Sequence, residues 1–157
     1  MSIPSPPPEL TKLNYFVGKW TWDSDIRPTP TSQAGKLTMT ERNQWMEGGF
    51  FLVLRSEFSI AGVGEGIGTA FMGYDRAKNA YTYDEFNSMG TRQHSTGALH
   101  ADTWTWVGEE RTDTGLRNTR LTMKALSPKL FTFCFEQSSD GREWTIVMVG
   151  KASKQEP

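Results

Sequence analysis

The sequence predicts an all-β fold, a closed antiparallel up-and-down barrel of about ten strands preceded by a short N-terminal helix. Apolar and polar residues alternate with a period of two over most of the chain after Gly18. Turn residues separate the alternating segments at the spacing of a meander, and no second helix is long enough for a βαβ crossover. We expect closure because it removes the exposed edges that sequential hairpins otherwise leave. An open two-sheet sandwich is the alternative, but it requires longer connections between its sheets.

The N-terminal region changes its pattern twice. Residues 1–7 are rich in proline and predict a disordered arm, because proline lacks the N–H donor that regular structure uses. Apolar residues from Pro8 to Val17 recur at spacings of three and four, which predicts a short amphipathic helix that Gly18 ends. We therefore expect a single barrel domain over residues 8–152 and a C-terminal tail over residues 153–157.

Ten segments after this helix have the alternating pattern of β-strands. Their expected limits are 19–23, 35–45, 50–55, 67–74, 80–87, 91–100, 103–108, 116–126, 130–137 and 142–151. At the first of them, Gly18 lets the chain turn from helix into strand, and the indole of Trp20 is large enough to fill a narrow barrel end. A ligand or active site is then expected towards the opposite mouth.

Composition and charge exclude several classes of partner. The chain has 157 residues, with 17 Lys and Arg against 18 Asp and Glu, so its formal net charge of -1 creates no field that would attract nucleic acid or anionic lipid. Its one cysteine, Cys134, cannot form an internal disulfide and favours a reducing compartment. The N-terminus does not resemble a secretory signal, and no run of about 18 apolar residues is present. We expect a cytoplasmic protein that does not span a membrane.

Polar residues on two consecutive strands form the candidate catalytic group. Tyr83 and Glu85 share one face of the fifth expected strand, and Arg92 and His94 share one face of the sixth. If both faces point inward, they bring a phenol, a carboxylate, a guanidinium and an imidazole into one cavity. That set suffices for acid–base chemistry or for orienting an anionic ligand. Because the period of two does not determine which face is inside, a solvated outer face is the alternative.

The candidate ligand-binding residues combine flat aromatic walls with polar groups that would orient a small molecule. They are Trp22, Tyr81, Tyr83, His94, Trp104, Trp106 and Arg120. Packing in the barrel core is the alternative reading for the aromatic members of this set.

Patterns typical of metal and cofactor sites are missing. His94 and His100 are the only histidines, and no dense group of Cys, His and Asp accompanies them. The glycine-rich residues 62–66 lack the Lys-Ser/Thr ending of a phosphate loop, and no helix follows them. We therefore expect no metal ion and no cofactor.

Five short motifs, taken in their order along the chain, resemble those of a known family. They are LNYFVGKW at 13–20, WMEGGFF at 45–51, MGYD at 72–75, FNSMG at 86–90 and DTWTW at 102–106. This pattern resembles an uncharacterised bacterial calycin family that is catalogued as a domain of unknown function. The resemblance covers nearly the whole chain after the proline-rich arm and implies a lipocalin-like barrel. Since the family has no settled activity, the resemblance transfers no catalytic residue and no ligand.

Three functional hypotheses follow from the sequence. The first is a binding module that holds a small apolar or amphipathic molecule in the barrel lumen. The second is a small enzyme, an isomerase, cyclase or hydrolase, that uses the group of Tyr83, Glu85, Arg92 and His94. The third is a non-catalytic scaffold or self-association module, for which a homodimer is possible. The volume and lining of the lumen discriminate among the three.

Overall fold

The chain folds as a closed antiparallel barrel of ten strands. The computed structural model describes residues 2–30 and 33–155. Each strand pairs with its neighbours in the chain, and β1 pairs with β10 to close the barrel. The strands are β1 (Gly18–Ile26), β2 (Gly35–Trp45), β3 (Leu52–Ile60), β4 (Gly64–Asp75), β5 (Ala80–Asn87), β6 (Arg92–His100), β7 (Thr103–Thr112), β8 (Gly115–Ser127), β9 (Leu130–Ser138) and β10 (Thr145–Lys154). The predicted fold class is confirmed.

A 3₁₀ helix, Pro8–Phe16, precedes β1 and covers one end of the barrel. Proline suits its first turn because the missing N–H would have no partner there. Leu10, Leu13 and Phe16 are its buried residues, and they join the barrel's hydrophobic core. The predicted short helix is therefore present, in the tighter 3₁₀ form. Among the residues that the structure describes, no helix combines the length and the apolar character needed to cross a membrane.

The two ends of the chain differ in detail from the sequence-based limits. Residues 2–7 have no regular secondary structure, but Pro7 is buried at the start of the helix. The expected tail begins too early, because Ser153 and Lys154 continue β10 and pair with β1. Residue 1 of the expected arm and residues 156 and 157 of the expected tail lie outside the described residues.

Trp20 fills the helix-covered end of the barrel. Its side chain is fully buried, and its indole N–H donates a hydrogen bond of 2.9 Å to the carbonyl oxygen of Phe16. The ring packs against Phe131, with 5.0 Å between centroids, and the Lys154 ammonium lies over the ring at 5.2 Å. One side chain thus joins the helix, β1, β9 and β10, so this end of the barrel is closed.

Two glycines let the strands approach closely where the barrel wall bends. Gly108 pairs with Ser95, and Gly150 pairs with Ser24. A Cβ atom on either glycine would collide with the backbone of the facing strand. Glycine is needed at such bends because it has no Cβ. Both serines are almost fully buried, so these close approaches belong to the interior of the barrel.

Candidate functional site

The barrel contains a cavity of about 360 Å³ towards the end opposite the helix. Its floor is aromatic, with Trp22, Trp106 and Phe133, and above the floor most lining side chains are apolar. Ile60 and Met89 lie near its mouth, where Met89 is 58% exposed. The lumen is therefore neither filled by side chains nor open at both ends.

Three glutamates on three different strands face this cavity. They are Glu41 on β2, Glu85 on β5 and Glu110 on β7. We call them the lumenal carboxyl cluster. Successive side chains of a strand point alternately to the inside and the outside of the barrel, and each glutamate occupies an inward position. Residues paired across neighbouring strands share a face, so the inward positions of one strand lie beside those of the next.

Glu41 is the deepest member of the lumenal carboxyl cluster, with only 6% of its surface exposed. Burial raises its pKa to about 7, and hydrogen bonding from Asn43 and the indole of Trp22 opposes that rise. Asn43 Nδ2 donates to Glu41 Oε1 at 2.8 Å and to the Phe16 carbonyl at 2.9 Å. The Trp22 N–H lies close enough to favour the carboxylate but makes no hydrogen bond of regular geometry. Glu41 therefore titrates near neutrality at the cavity floor.

Glu85 and Glu110 lie nearer the mouth than Glu41. Burial, together with the charges of Glu41 and Glu110, raises the pKa of Glu85 to about 7. Burial also raises the pKa of Glu110, against the opposing charge of Arg117, and Gln137 Nε2 donates to Glu110 Oε1 at 3.3 Å. The three carboxyl groups therefore interact through the lumen, and each ionisation disfavours the next.

Polar groups without a protein partner also belong to the cavity wall. Trp22 Nε1, Trp106 Nε1 and Ser24 Oγ are buried and make no hydrogen bond within the described residues. A buried polar group without a partner costs about 1–3 kcal/mol, and native proteins leave few of them. The Trp22 N–H already lies close to the Glu41 carboxyl group, so Trp106 Nε1 and Ser24 Oγ are the two groups left to bind a polar part of a guest molecule or water.

Trp106 lies in the cavity wall with only 2% of its surface exposed, and its neighbours hold its ring in place. Its ring stacks on Trp104 with 5.7 Å between centroids and an angle of 6° between planes, and Tyr83 lies beside it at 5.8 Å. The ring also lies against Gly97, where any Cβ atom would overlap it. Burial and the nearby charges of Glu85 and Glu41 raise the pKa of Tyr83 well above its ordinary value. Tyr83 therefore stays a neutral phenol in the wall.

The structure separates the predicted ligand-binding residues into two inner groups and one outer group. Trp22, Tyr83 and Trp106 line the cavity. Tyr81 and Trp104 lie in the core at the closed end, where Tyr81 Oη donates to the Glu9 carbonyl at 2.8 Å and Trp104 packs against the helix. The third group, His94 and Arg120, lies on the outer wall.

The condition for Tyr83 and Glu85 to converge with Arg92 and His94, that both faces point inward, is not met, and the alternative of a solvated outer face holds for the two β6 residues. Tyr83 pairs with Ser95 and Glu85 pairs with Gln93, so the odd-numbered row of β6 faces inward. Arg92 and His94 belong to the other row and are exposed. His94 Nδ1 contacts Asp84 Oδ1 at 2.6 Å on the outer surface.

Arg120 also lies outside the lumen, because its neighbour Leu121 occupies the inward row of β8. Its guanidinium forms a two-point ion pair with Glu136, at 3.0 and 2.9 Å, and lies 4.3 Å from the ring of Trp144. This contact joins β8 and β9 to the loop before β10 and does not reach the cavity.

The sequence reasoning missed Glu41, Glu110 and Gln93 as lumen residues. On β2, the inward residues Leu37, Met39 and Glu41 alternate with polar outward residues. The only sequence signal for the inward position of Glu41 is therefore that it shares a face with two apolar residues. Glu110 lies beyond the limit at which the seventh strand was expected to end. Within residues 2–30 and 33–155, no group of three or more His, Cys, Asp and Glu is placed to hold a metal ion.

Comparison with solved structures finds the same barrel in proteins of very different sequence. Rv2717c from M. tuberculosis matches with a TM-score of 0.73 and 11% identity, over 97% of this chain and 100% of that one. The S-type phycobiliprotein lyase CPES from Guillardia theta matches with a TM-score of 0.60 and 9% identity, over 94% and 92%. A fluorescence-activating β-barrel designed de novo matches with a TM-score of 0.50 and 15% identity, over 90% and 95%. The lipocalin-like fold is thereby supported.

Sequence comparison identifies the family. No curated protein matches the chain significantly. A family model described as "Protein of unknown function (DUF1579)" matches residues 5–154, which is nearly the whole chain. The resemblance seen in the five motifs is confirmed, and this chain belongs to the DUF1579 family of proteins of unknown function.

Proposed function

We propose that the barrel binds a small amphipathic molecule in its lumen. The observation that carries this proposal is the cavity of about 360 Å³, closed at the helix end and reached from the opposite mouth. Protein interiors pack at a density that leaves few voids larger than one water molecule. A cavity of this size is therefore no packing defect, and it falls within the range of about 300–1,000 Å³ typical of small-molecule sites.

The lining supports an amphipathic guest over a purely apolar one. Apolar side chains would gain about 25 cal/mol for each Å² of guest surface removed from water. The lumenal carboxyl cluster, the unpartnered Trp106 N–H and the unpartnered Ser24 hydroxyl provide fixed polar partners in the cavity wall. A guest with an apolar body and one polar group would satisfy both parts of the lining.

Two of the proteins with a similar fold add support through what their names state. One is a phycobiliprotein lyase and the other is a designed fluorescence-activating barrel. The fold therefore occurs in proteins whose names refer to pigment proteins and to fluorescence. This likeness concerns the fold, and the proposal for this chain depends on its own cavity.

Titration with the uncharged dye Nile red tests the proposal. We expect dye fluorescence to rise on binding and tryptophan emission to be quenched, since Trp22 and Trp106 line the cavity. Leu121→Trp adds bulk inside the cavity and should abolish binding. The matched control is Leu126→Trp on the same strand, where the leucine is 54% exposed and the added ring lies in solvent. Equal binding by both variants, or none by the unaltered protein, would contradict lumen binding.

Acid–base catalysis is a second candidate function, because Glu41 and Glu85 combine a pKa of about 7 with access to the cavity. Carboxyl groups that titrate near neutrality suit general acid–base catalysis by an isomerase, cyclase or hydrolase. The molecule that co-purifies from cell extract can be identified by native mass spectrometry and incubated again with fresh protein. Turnover that Glu85→Gln abolishes would establish an enzyme, and recovery of the unchanged molecule would leave a binding protein.

We also propose that the protein acts in the bacterial cytoplasm. The single cysteine supports this location, since cytoplasmic proteins seldom depend on disulfides. Fractionation of cells expressing the full chain, followed by immunoblotting, tests it.

A further inference from the structure

The charged residues among those described in the cavity lining are all acidic. Among the described residues that line the cavity there are three glutamates and no Lys, Arg or His. The basic residue Arg117 pairs with Glu110 across β7 and β8, acts on its carboxyl group and is exposed at the mouth. Arg117 therefore partly neutralises Glu110, while Glu41 and Glu85 face the lumen without a basic partner.

The hydrogen bonds of the two inner carboxyl groups leave room for a guest. Glu41 Oε1 accepts from Asn43, and regular hydrogen bonds from other residues are absent from the described part of the chain. Glu85 has no hydrogen-bonding partner among the same residues. Carboxylates normally accept several hydrogen bonds when they are removed from water. The two groups thus have acceptor capacity that the protein itself does not use.

Aromatic faces lie beside these carboxyl groups. Trp22 adjoins Glu41, and Trp106 and Tyr83 form one wall at 5.8 Å from each other. The face of an aromatic ring is electron-rich and attracts cations, most strongly for tryptophan and when water is excluded. Aromatic walls with carboxylates are the composition that proteins use to hold quaternary and protonated amines.

We propose that the guest of this barrel is a planar amphipathic cation, whose protonated or quaternary nitrogen binds beside the lumenal carboxyl cluster, within the aromatic lining to which Trp22 and Trp106 belong. This inference rests on the proposed lumen binding and specifies its ligand class. The Ser24 hydroxyl, which is buried at the cavity wall without a partner, gives a second reason to place a protonated nitrogen of the guest there, because its oxygen can accept a hydrogen bond.

The same geometry disfavours anionic guests such as fatty acids. Once past Arg117 at the mouth, a carboxylate would find no basic side chain among the described lining residues and would meet three acidic ones. Its desolvation would cost several kcal/mol without a compensating ion pair. A permanent cation, in contrast, favours the ionised form of each carboxyl group that it approaches.

The pH dependence of cation binding has a definite sign. The ionisable groups that face the lumen are Glu41 from β2, Tyr83 and Glu85 from β5, Glu110 from β7 and, at the mouth, Arg117 from β8. Tyr83 stays neutral because its pKa is raised well above its ordinary value, so the glutamates are the lumenal groups that change charge near neutral pH. A permanent cation must therefore bind more tightly as the pH rises through about 7, where Glu41 and Glu85 ionise.

Three dyes of similar size and different charge test the inference. They are thioflavin T, a permanent cation; its analogue without the ring N-methyl group, which is uncharged; and anilinonaphthalene sulfonate, an anion. At about pH 8.5 we expect thioflavin T to bind roughly tenfold more tightly than the uncharged analogue, and the ratio to approach one at about pH 5. The sulfonate should not compete with either dye.

Matched variants test whether the lumenal carboxyl cluster causes the preference for the cationic dye. Glu85→Gln should lower thioflavin T affinity roughly tenfold and leave the uncharged analogue unaffected, because only the charge is removed. Glu110→Gln serves the same purpose if Glu85→Gln fails to fold. Glu57→Gln is the control, since Glu57 is exposed and pairs with Thr40 on the outer wall.

The outcomes separate this inference from the proposed function. Equal affinity for the charged and uncharged dyes, a preference that is unchanged in Glu85→Gln, or lumen binding of the sulfonate would overturn the cation proposal while lumen binding survives. Failure of every dye to bind the unaltered protein would overturn both. A preference for the cation that depends on pH and on Glu85 supports both.

Discussion

Replacement of Glu41 by glutamine should make the stability of the barrel less dependent on pH. The Glu41 carboxyl has an ordinary pKa of 4.5, and burial raises it to about 7 in the folded barrel. Below pH 4.5 the group is neutral in both states and this contribution to stability is fully present. As the pH rises from 4.5 through about 7, the folded state holds a proton that the unfolded state has released, so the contribution is lost.

The magnitude follows from the difference between the two pKa values. A difference of about 2.5 pH units, at 1.36 kcal/mol each, corresponds to about 3 kcal/mol of unfolding free energy. Glu41→Gln keeps the shape of the side chain and an oxygen that accepts from Asn43, but it cannot ionise. Its unfolding free energy relative to the unaltered protein should therefore increase by about 3 kcal/mol between pH 4.5 and pH 8.5.

Urea unfolding followed by tryptophan fluorescence, repeated across this pH range, measures the difference. Glu57→Gln, on the exposed outer wall, is the control and should show no such trend. A difference between Glu41→Gln and the unaltered protein that stays constant from pH 4.5 to pH 8.5 would refute the assignment of Glu41 as a buried, near-neutral carboxyl group.

Three further predictions concern the cavity wall, the closed end and the outer surface. Gly97→Ala places a Cβ atom against the ring of Trp106, so it should lower stability by about 1–3 kcal/mol in urea unfolding and weaken Nile red binding. Trp20→Ala should lower the unfolding free energy by about 3–5 kcal/mol, while the protein that remains folded still binds Nile red at the other end. His94→Ala removes an exposed contact with Asp84, so stability should change by less than about 1 kcal/mol and dye affinity should stay the same. A large loss of dye binding in His94→Ala would contradict its outward position.

Most of the fold was predictable because its signals are local. The expected segments 35–45 and 80–87 coincide with β2 and β5, since turn residues bound them and the alternation inside them is regular. β3 was expected at 50–55 but is Leu52–Ile60. The second half of β3 contains several polar residues and lies near the mouth of the barrel. The alternation of apolar and polar residues therefore does not show where the strand ends.

The candidate site was only partly predictable. Tyr83 and Glu85 were correctly placed together on one face of β5, but their partners were taken from the wrong row of β6. Each row of a strand has the same period, so a shift of one residue exchanges the inner and outer sets. Gln93 and Ser95 face inward only because β5 and β6 pair in one particular register.

The sequence by itself determined that the chain makes about ten sequential strands, that a helix precedes them and that Trp20 closes one end. Those features follow from the spacing of apolar residues and from turn residues that act over a few positions. Only the tertiary structure decided which row of each strand lines the lumen, and hence that Glu41, Glu85 and Glu110 meet there while His94 and Arg120 lie outside. That choice depends on hydrogen-bonded register around a closed barrel, in which every strand constrains the next and the last one constrains the first.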